Sequence, residues 1–432
     1  MQKIISSRLA WTAAFLLTAI NTYSFADRQL PSIMIPELKA ELLLTDAEIG
    51  FLFGTVFAIF FGIATVIFGR LADTSYRKNV LIFAIIMWSV LTGLCGIAQQ
   101  FWDLIIFRIG VGVGEAALGP IALVVFAAYF TKEKLPLALG IWGTGPFLGS
   151  ALAGWGGAAI ITNMDLAKPY LGVFSDFSDW RLTFFLFAIP GLLFALALKF
   201  LPFPETNIEK KEAGAFIPFF KKAWKFFLLM FIGVTITGLV GYSVLAWGIE
   251  MLVRVHDIPK TIAGQNFGIF NIFLGIGGSI GAGIIASRMI EKGIINAHLR
   301  IAGIFVILLW FSLLLFTLST NSLYSQIGLA GMILFMSCGP GLYGAAFQSA
   351  SPVNLRGRTA AIYYISANVI GFALGPFALG FFNDFIFNEA NGYDQTGIRY
   401  SLLSIGIILY PIAAFCFYKA SKLFMPLQAE AQ

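Results

Sequence analysis

Charged residues are scarce in this chain: only 12% of its 432 residues are Asp, Glu, Lys or Arg, against about 25% in soluble domains. Together with a hydrophobic fraction of 59%, this scarcity excludes an ordinary soluble enzyme. Cysteines are few as well. Cys95, Cys338 and Cys416 fall in apolar stretches and form no metal or redox spacing, so we expect small buried side chains and no metal or cofactor.

Motifs of pumps and enzymes are absent or lack their partners. No G-x-x-x-x-G-K-[ST] phosphate loop occurs, which excludes an ATP-driven pump on this chain. Ser279 fits a G-x-S-x-G nucleophile pattern, but it would need a histidine in a neighbouring apolar helix. Because the only two histidines, His256 and His298, are predicted to lie in loops, Ser279 is expected to be a helix-contact residue. The chain is therefore predicted not to be an enzyme.

Apolar segments long enough to cross a membrane dominate the sequence, since a helical span needs about 20 mostly apolar residues. Twelve are predicted, at residues 8–31, 49–72, 80–98, 104–130, 136–161, 182–201, 226–251, 262–286, 301–318, 323–350, 359–386 and 400–424. A charged stretch, 202–225, separates the two sets of six. The predicted fold is an all-α membrane protein with an N-terminal six-helix bundle (1–201), a cytoplasmic linker (202–225) and a C-terminal six-helix bundle (226–432).

Basic residues are distributed unequally between the two predicted membrane faces. Of the 28 Lys and Arg residues, twenty fall on the side of both termini, six on the other side and two within spans. The positive-inside rule then places both termini in the cytoplasm. Short loops and the lack of targeting features favour a bacterial inner membrane. Since the basic residues are dispersed over several loops, the net charge of +6 is a topology signal, and nucleic acid is not an expected partner.

Short strings recur between the two halves. The string LGP at 118–120 recurs as CGP at 338–340, and GPF at 145–147 recurs at 375–377, offsets of 220 and 230 residues. Two parallel repeats with a site between them are typical of transporters that rock one half against the other. Gly110 and Gly114 form a G-x-x-x-G face that allows close helix approach. Static helix packing would explain most single glycines equally well.

In the first half, four charged residues lie inside predicted spans and away from their ends: Asp27 and Arg28 in the first, Arg108 and Glu115 in the fourth. A charge at the bilayer centre costs about 2.5–3.5 kcal/mol, so these groups are expected to pair and to mark a transport or proton path. Arg108 and Glu115 are seven residues apart, two helical turns, and therefore face one side of the helix. The alternative is a purely structural buried ion network.

The loop that begins at Gly69, G-R-L-A-D-T-S-Y-R-K-N-V-L, resembles the signature loop of the major facilitator superfamily. The resemblance implies a cytoplasmic latch, or gate, in which Asp73 lies at the helix end and Arg77 and Lys78 pair across the two halves. Tyr76 replaces the usual glycine of this motif. The matching place in the second half carries Ser287 instead of an acid, which implies that its latch is weaker or absent.

Three further strings resemble the Spinster-like branch of that superfamily. They are the Asp27-Arg28 pair, R-I-G-V-G-V-G-E-A at 108–116, and D-W-R at 179–181. The resemblance covers nearly all of the first half, whereas the second half matches mainly in layout. It implies the major facilitator fold, export of lysolipids or sphingoid phosphates in eukaryotic members, and proton coupling in some members.

The four charged residues suggest how a proton and a substrate could be linked. When an anionic substrate takes over an arginine, the acid loses its partner and binds a proton more readily. We therefore assign proton coupling to Asp27 and Glu115, and anion binding to Arg28 and Arg108. Polar-tipped aromatic and amide residues within spans are further candidates for the cavity lining: Tyr23, Trp142, Tyr242, Tyr363, Tyr364 and Asn368.

The predicted function is alternating-access, proton-coupled transport of an anionic amphiphile, a lysophospholipid or sphingoid phosphate, with antiport as the expected mode. Its expected partners are this substrate, protons and membrane lipids, and the chain is expected to be a monomer. An exporter of drugs or hydrophobic organic anions is the alternative within transport. A signalling or scaffold membrane protein without flux is the alternative from another class.

Overall fold

The computed structural model describes residues 7–72, 74–130, 135–170, 172–203, 216–351, 359, 362–363 and 365–431. Three predicted site groups, Asp73, Tyr364 and the side chain of Asn368, lie outside the described part. All regular secondary structure within that part is helical.

The first half contains α1 to α12, with several spans built from more than one helix. Their bounds are α1 Ser7–Gln29, α2 Ile35–Leu42, α3 Asp46–Gly50, α4 Phe57–Leu71, α5 Arg77–Cys95, α6 Phe101–Glu115, α7 Leu118–Tyr129, α8 Leu135–Trp142, α9 Gly145–Ala151, α10 Ala158–Thr162, α11 Met164–Ala167 and α12 Asp179–Phe200. The helices of the second half are longer. They are α13 Phe216–His256, α14 Lys260–Phe270, α15 Ile276–Glu291, α16 Ala297–Leu318, α17 Ser322–Ser349, α18 Gly371–Phe385 and α19 Ile398–Ala431.

Ten helical segments of the described part are long and apolar enough to cross a membrane. The two predicted spans that are not among them, 136–161 and 359–386, coincide with the helices α8 to α10 and with α18 and the turn before it. This confirms an all-α membrane fold and is consistent with twelve spans. Two differences bear on the predictions: α13 begins at Phe216, within the predicted linker, and both histidines lie in helices. His256 is the last residue of α13, and His298 lies in the first turn of α16 and is buried. The prediction that these histidines lie in loops is therefore wrong.

The first compact unit comprises Met1–Leu44, Val56–Lys210 and Gly264–Gly268. Within it, α1 packs against α8 and α9, and α5 packs against α6 and α12. Large buried side chains, among them Trp88, Phe126 and Trp180, fill the spaces between these helices. The unit therefore holds α1 and α6, the two helices that carry the charged residues, in a tightly packed setting.

The second compact unit comprises Thr45–Thr55, Lys211–Ala263 and Ile269–Gln432. Its long helix α13 packs against α18 and α19, and α16 packs against α17 and α19. Trp247, Phe316 and Tyr410 are fully buried in this unit. The stretch Thr45–Thr55 precedes the linker in sequence but belongs to this unit, so the second span changes unit along its length.

Within the residues that the structure describes, four π-helical turns interrupt the α-helices, at Phe51–Val56, Leu152–Gly157, Asn271–Gly275 and Ile365–Ile370. They fall in the second, fifth, eighth and eleventh predicted spans, one in each quarter of the chain. The first contains the point, after Thr55, where the second span passes from one unit to the other. Single π turns inside α-helices occur frequently at functional sites.

Candidate functional site

The four charged residues of the spans lie together in the first unit. Asp27 and Arg28 occupy the last turn of α1, while Arg108 and Glu115 lie two turns apart on α6. Asp27, Arg108 and Glu115 are fully buried, and only Arg28 retains measurable exposure, 14% of its side chain. We call these four residues the ionic cluster.

One ion pair of the cluster joins Arg28 to Glu115. The Arg28 Nε lies 2.5 Å from Glu115 Oε2, within hydrogen-bond distance. The Ser24 hydroxyl donates to the same carboxylate oxygen at 2.7 Å and accepts a hydrogen bond from Arg28 Nη2 at 3.3 Å. Because Ser24 lies one helical turn before Arg28, it holds both partners in register. This is a short, charge-assisted contact of the strong kind.

Three phenylalanine rings surround the Arg28 guanidinium. Its central carbon lies 4.5 Å from the ring centre of Phe25, 5.0 Å from that of Phe57 and 4.6 Å from that of Phe61. A cation within about 6 Å of an aromatic face is stabilised by the ring quadrupole. These rings lower the cost of keeping a guanidinium in an apolar setting, and they give the cluster an apolar wall.

The second ion pair joins Asp27 to Arg108 and is sealed from solvent. Arg108 Nη1 lies 3.5 Å from Asp27 Oδ1, and both side chains are at most 1% exposed. Thr92 Oγ1 donates to the other oxygen, Asp27 Oδ2, at 2.6 Å. None of the three Arg108 nitrogens has a hydrogen-bond partner in the described part of the chain. Arg108 is therefore held by charge more than by hydrogen bonding.

Glycines on α6 allow the neighbouring helices to approach the cluster. A Cβ atom on Gly112 would lie 3.0 Å from the Phe57 carbonyl oxygen, and one on Gly114 would lie 2.9 Å from the Trp88 Cβ. Such contacts are tighter than ordinary packing. The glycines of the R-x-G-V-G-x-G-E motif therefore allow α6 to lie close to its neighbouring helices at these positions. The close approach predicted from Gly110 and Gly114 is present as well, since a Cβ on Gly110 would lie 2.3 Å from a Leu91 methyl carbon.

The remaining predicted cavity residues are spread over both units. In the first unit, the buried Tyr23 donates its hydroxyl hydrogen to the Phe187 carbonyl, and the Trp142 ring packs against Phe126. In the second unit, the Tyr242 ring centre lies 4.7 Å from that of Phe372, and Tyr363 donates to a backbone carbonyl at 3.3 Å. Only Tyr23 lies on the same helix as the cluster residues Asp27 and Arg28. A lining role for these residues stays a prediction.

The predicted latch loop is only partly described. A Cβ on Gly69 would meet no atom within 4 Å, so the glycine there relieves no packing conflict in this structure. Arg77 is buried at the start of α5. Lys78 donates through Nζ to the Lys199 carbonyl at 2.7 Å, within the first unit. Pairing of Arg77 and Lys78 across the two halves stays a prediction.

The D-W-R residues at 179–181 form hydrogen bonds to two other connecting segments of the first unit. Trp180 Nε1 and Arg181 Nε donate to the two carboxylate oxygens of Glu41 at 2.6 and 2.7 Å. Arg181 Nη1 also donates to the carbonyls of Gly96 and Ala98. Partial burial raises the pKa of Glu41, but hydrogen bonds from neighbouring side chains, including Trp180 and Arg181, outweigh it and hold that pKa below its usual value.

Ser24 and Thr92 are site residues that sequence reasoning missed. Ser24 could have been found, because it lies four residues before Arg28 on the same helix face. Thr92 had no such signal, since it lies on a different helix from both members of the pair it supports.

A model of the Major Facilitator Superfamily matches residues 5–376 of the chain. The chain therefore belongs to this superfamily of membrane transporters, whose members are not enzymes. It is a multi-pass membrane protein.

The chain resembles both efflux and lipid-phosphate transporters. An MFS-type efflux pump of Mycolicibacterium smegmatis is 23% identical over 96% of this chain and 93% of that protein. The sphingosine-1-phosphate transporter SPNS2 of Danio rerio is 29% identical over 34% of this chain and 30% of its own length. A crystal structure of a bacterial homologue of the human lysosomal transporter Spinster, inward-facing and unoccupied, superposes with a TM-score of 0.83 at 20% identity, covering 98% of this chain and 99% of that one. The predicted resemblance to the Spinster-like branch is confirmed.

Proposed function

We propose that this transporter carries an anionic amphiphile, a lysophospholipid or sphingoid phosphate, and couples its movement to protons by alternating access. The observation that carries the proposal is the ionic cluster, in which the carboxylates of Asp27 and Glu115 occupy the cations that an acidic headgroup would need. Buried ionisable groups in spans are costly, and function is their default explanation. A structural ion network remains the competing explanation.

The two ion pairs differ in a way that assigns them different roles. Arg28 is the only partly exposed member, and its partner Glu115 contacts it through a single arginine nitrogen. Asp27 and Arg108 are fully enclosed. A substrate anion can therefore reach Arg28 with less rearrangement than Arg108. In our proposal, Arg28 and Glu115 exchange partners, while Asp27 supplies the second proton site and Arg108 the fixed positive charge beside it.

The exchange links proton uptake to anion binding. A proton on a Glu115 oxygen neutralises the carboxylate, so that Arg28 loses its counter-ion and can take the acidic headgroup. Conversely, an anion bound at Arg28 leaves Glu115 without a partner in a dry setting, where it binds a proton more readily. Proton and anion then favour each other's binding. Antiport requires instead that they displace each other, so the sign of the coupling tests the mode expected from the sequence.

The apolar wall beside Arg28 suits an amphiphile. Phe25, Phe57 and Phe61 place aromatic surface within about one side-chain length of the cation that would hold the headgroup. The resemblance to SPNS2 supports a sphingoid phosphate. The long match to an efflux pump favours the second candidate, a drug or hydrophobic organic anion. Either ligand combines an acidic group with apolar bulk.

The setting of the transporter is also part of the proposal. The excess of Lys and Arg on the side of both termini supports cytoplasmic termini and insertion in a bacterial inner membrane. We propose a monomer that works in contact with membrane lipids, with protons and the anionic amphiphile as its partners. The loop with Gly69, Asp73, Arg77 and Lys78 would gate its cytoplasmic side.

Flux in liposomes tests the proton role. Purified protein and its Glu115→Gln variant are reconstituted, a pH gradient is imposed, and uptake of a fluorescent sphingoid phosphate is followed. We expect proton-driven uptake to fall at least about tenfold in the variant, because an amide cannot take up the proton. Asp103→Asn, an acid-to-amide change at the half-buried start of the same helix, is the matched control. Undiminished proton-driven uptake by Glu115→Gln would refute the assignment.

A substrate panel separates the candidate functions. The same liposomes are offered a lysophospholipid, a sphingoid phosphate and a hydrophobic carboxylate that lacks a phosphate. Preference for the two phosphates supports the lipid proposal, whereas equal flux of the carboxylate supports a general organic-anion exporter. Absence of any accumulated gradient would favour the signalling or scaffold alternative.

A further inference from the structure

Helices α16 and α19 of the second unit pack along one regular seam. Three contacts define this seam, and each is measured to a backbone carbonyl oxygen of α19: from Asn296 Nδ2 to Ser421 at 2.9 Å, from a Cβ built on Gly303 to Ala414 at 3.9 Å, and from Trp310 Nε1 to Ile407 at 2.9 Å. Each step of seven residues along α16 matches a step of seven residues back along α19. The two helices are therefore antiparallel and packed in one register.

One side of the seam presents apolar side chains on both helices. Residues that follow a seam residue by one or by four positions share one side of their helix. The exposed apolar residues at these offsets include Ile304, Ile307 and Phe311 on α16, and Ile408 and Phe415 on α19. Because the helices are antiparallel, equal offsets fall on the same side of the seam. The two helices therefore form one continuous apolar surface, which suits the acyl chains of a lipid.

Cations stand at one end of this apolar surface. Arg300 and Lys422 occupy the same offsets from seam residues and are exposed, and Lys419 is exposed beside them on α19. The register of the seam places Arg300 level with Phe417, so the three cations lie within about 8 Å of one another along the helix axis. The polar headgroup layer on one face of a bilayer is about 5–8 Å thick. We call Arg300, Lys419 and Lys422 the seam cations.

Aromatic rings hold two of the seam cations close to the apolar surface. Lys422 Nζ lies 4.4 Å from the ring centre of Tyr418, and Lys419 Nζ lies 5.4 Å from that of Phe415. Each ring lies one helical turn before its lysine, so both ammonium groups bend back toward the apolar surface. In sequence, α16 has no acidic residue and α19 has none before Glu430. A ligand at this end of the seam is therefore expected to combine an anionic group with apolar chains.

We propose that the α16–α19 seam is a binding site for an anionic phospholipid, which places its phosphate at the seam cations and its acyl chains along the apolar surface. Basic pockets between membrane helices are known to take acidic lipid headgroups. In the topology proposed from the loop charges, the seam cations lie on the cytoplasmic side, so the lipid belongs to the cytoplasmic leaflet. The site lies in the second unit, whereas the ionic cluster lies in the first. The proposal therefore goes beyond the proposed transport function and does not depend on its substrate.

Lipid titration followed by native mass spectrometry tests the site. Delipidated protein in detergent is titrated with phosphatidylglycerol, and the zwitterionic phosphatidylcholine serves as the reference lipid. We expect wild type to bind the first phosphatidylglycerol more tightly than phosphatidylcholine. The variant Arg300→Gln/Lys419→Gln/Lys422→Gln should bind phosphatidylglycerol at least about tenfold more weakly, because each basic residue at a membrane surface contributes about a fivefold factor in affinity. If this variant does not fold, Lys422→Gln alone should weaken binding about fivefold.

Two control variants separate this site from general attraction between charges. Lys221→Gln/Lys225→Gln/Lys292→Gln removes three other exposed lysines of the second unit and should leave the affinity nearly unchanged. Lys419→Arg/Lys422→Arg keeps both charges and should bind like wild type. Unchanged binding by the seam variant, or an equal loss in the control triple variant, would overturn the proposal. So would equally tight binding of inorganic phosphate, or a dimer that only the seam variant loses, which would assign the surface to a second copy of the chain.

Discussion

Removing the charge of Asp27 should destabilise the protein more than removing the charge of Glu115. Asp27→Asn keeps the acceptor for the Thr92 hydroxyl but leaves Arg108, 1% exposed, without its counter-ion. Arg108 has no hydrogen-bond partner in the described part of the chain that could replace the lost carboxylate. The variant therefore buries an uncompensated cation.

Two independent arguments give the size of the effect. Truncating one partner of a buried ion pair typically costs about 3–5 kcal/mol. Two unit charges about 4 Å apart interact by about 4 kcal/mol at an effective dielectric constant of about 20, and the Asp27–Arg108 contact is 3.5 Å. We therefore expect the free energy of unfolding to fall by about 3–5 kcal/mol. Glu115→Gln should cost less, because Arg28 keeps some solvent and its three phenylalanine rings.

Unfolding by SDS titration in mixed micelles measures both variants on one scale. The double variant Asp27→Asn/Arg108→Gln removes both charges and should recover part of the loss, since no buried cation remains unpaired. A loss below about 1 kcal/mol for Asp27→Asn would refute the reasoning, because it would mean that water or another group already compensates Arg108. Equal losses for Asp27→Asn and Glu115→Gln would refute the distinction between a sealed and an exchangeable pair.

Two further predictions concern packing and pH. Gly112→Ala places a methyl group about 3 Å from the Phe57 carbonyl oxygen and should lower the free energy of unfolding by about 1–3 kcal/mol; Gly281→Ala, where a Cβ meets nothing within 4 Å, should be neutral or stabilising in the same titration. Because the pKa of Glu41 is lowered in the folded protein, its contribution to stability is present above the usual value of 4.5 and is lost as the pH falls through the lowered pKa. The melting temperature of wild type should therefore fall further between pH 6 and pH 3, roughly the range of carboxyl titration, than the melting temperature of Glu41→Gln. An equal fall in the two proteins would contradict this prediction.

Much of the fold could be predicted because span length and hydrophobicity are local properties. The spans and the buried charges follow from runs of apolar residues, and the close helix approach follows from the glycine spacing on α6. The π turns could not be predicted, since an extra residue in a helical turn leaves no compositional mark in an apolar span. The ion pair between Asp46 and Arg254 was missed for a related reason: the two residues lie 208 positions apart in sequence, and each alone is an ordinary charge near the end of a predicted span. Only the tertiary structure brings them together.

The sequence predicted that the four charges pair, and helix geometry narrows the choice of partners. Adjacent Asp27 and Arg28 on α1 point to different sides, and Arg108 and Glu115 on α6 are two turns apart, so pairs between the two helices are favoured over pairs within one helix. What the sequence could not show is which cation keeps some solvent contact. Thr92 of α5 donates to Asp27 in the enclosed pair, whereas the aromatic rings of α4 pack against the partly exposed Arg28 guanidinium. These neighbours decide which cation a substrate can reach, so changing Phe57 or Phe61 of α4 should alter substrate affinity without touching a charge.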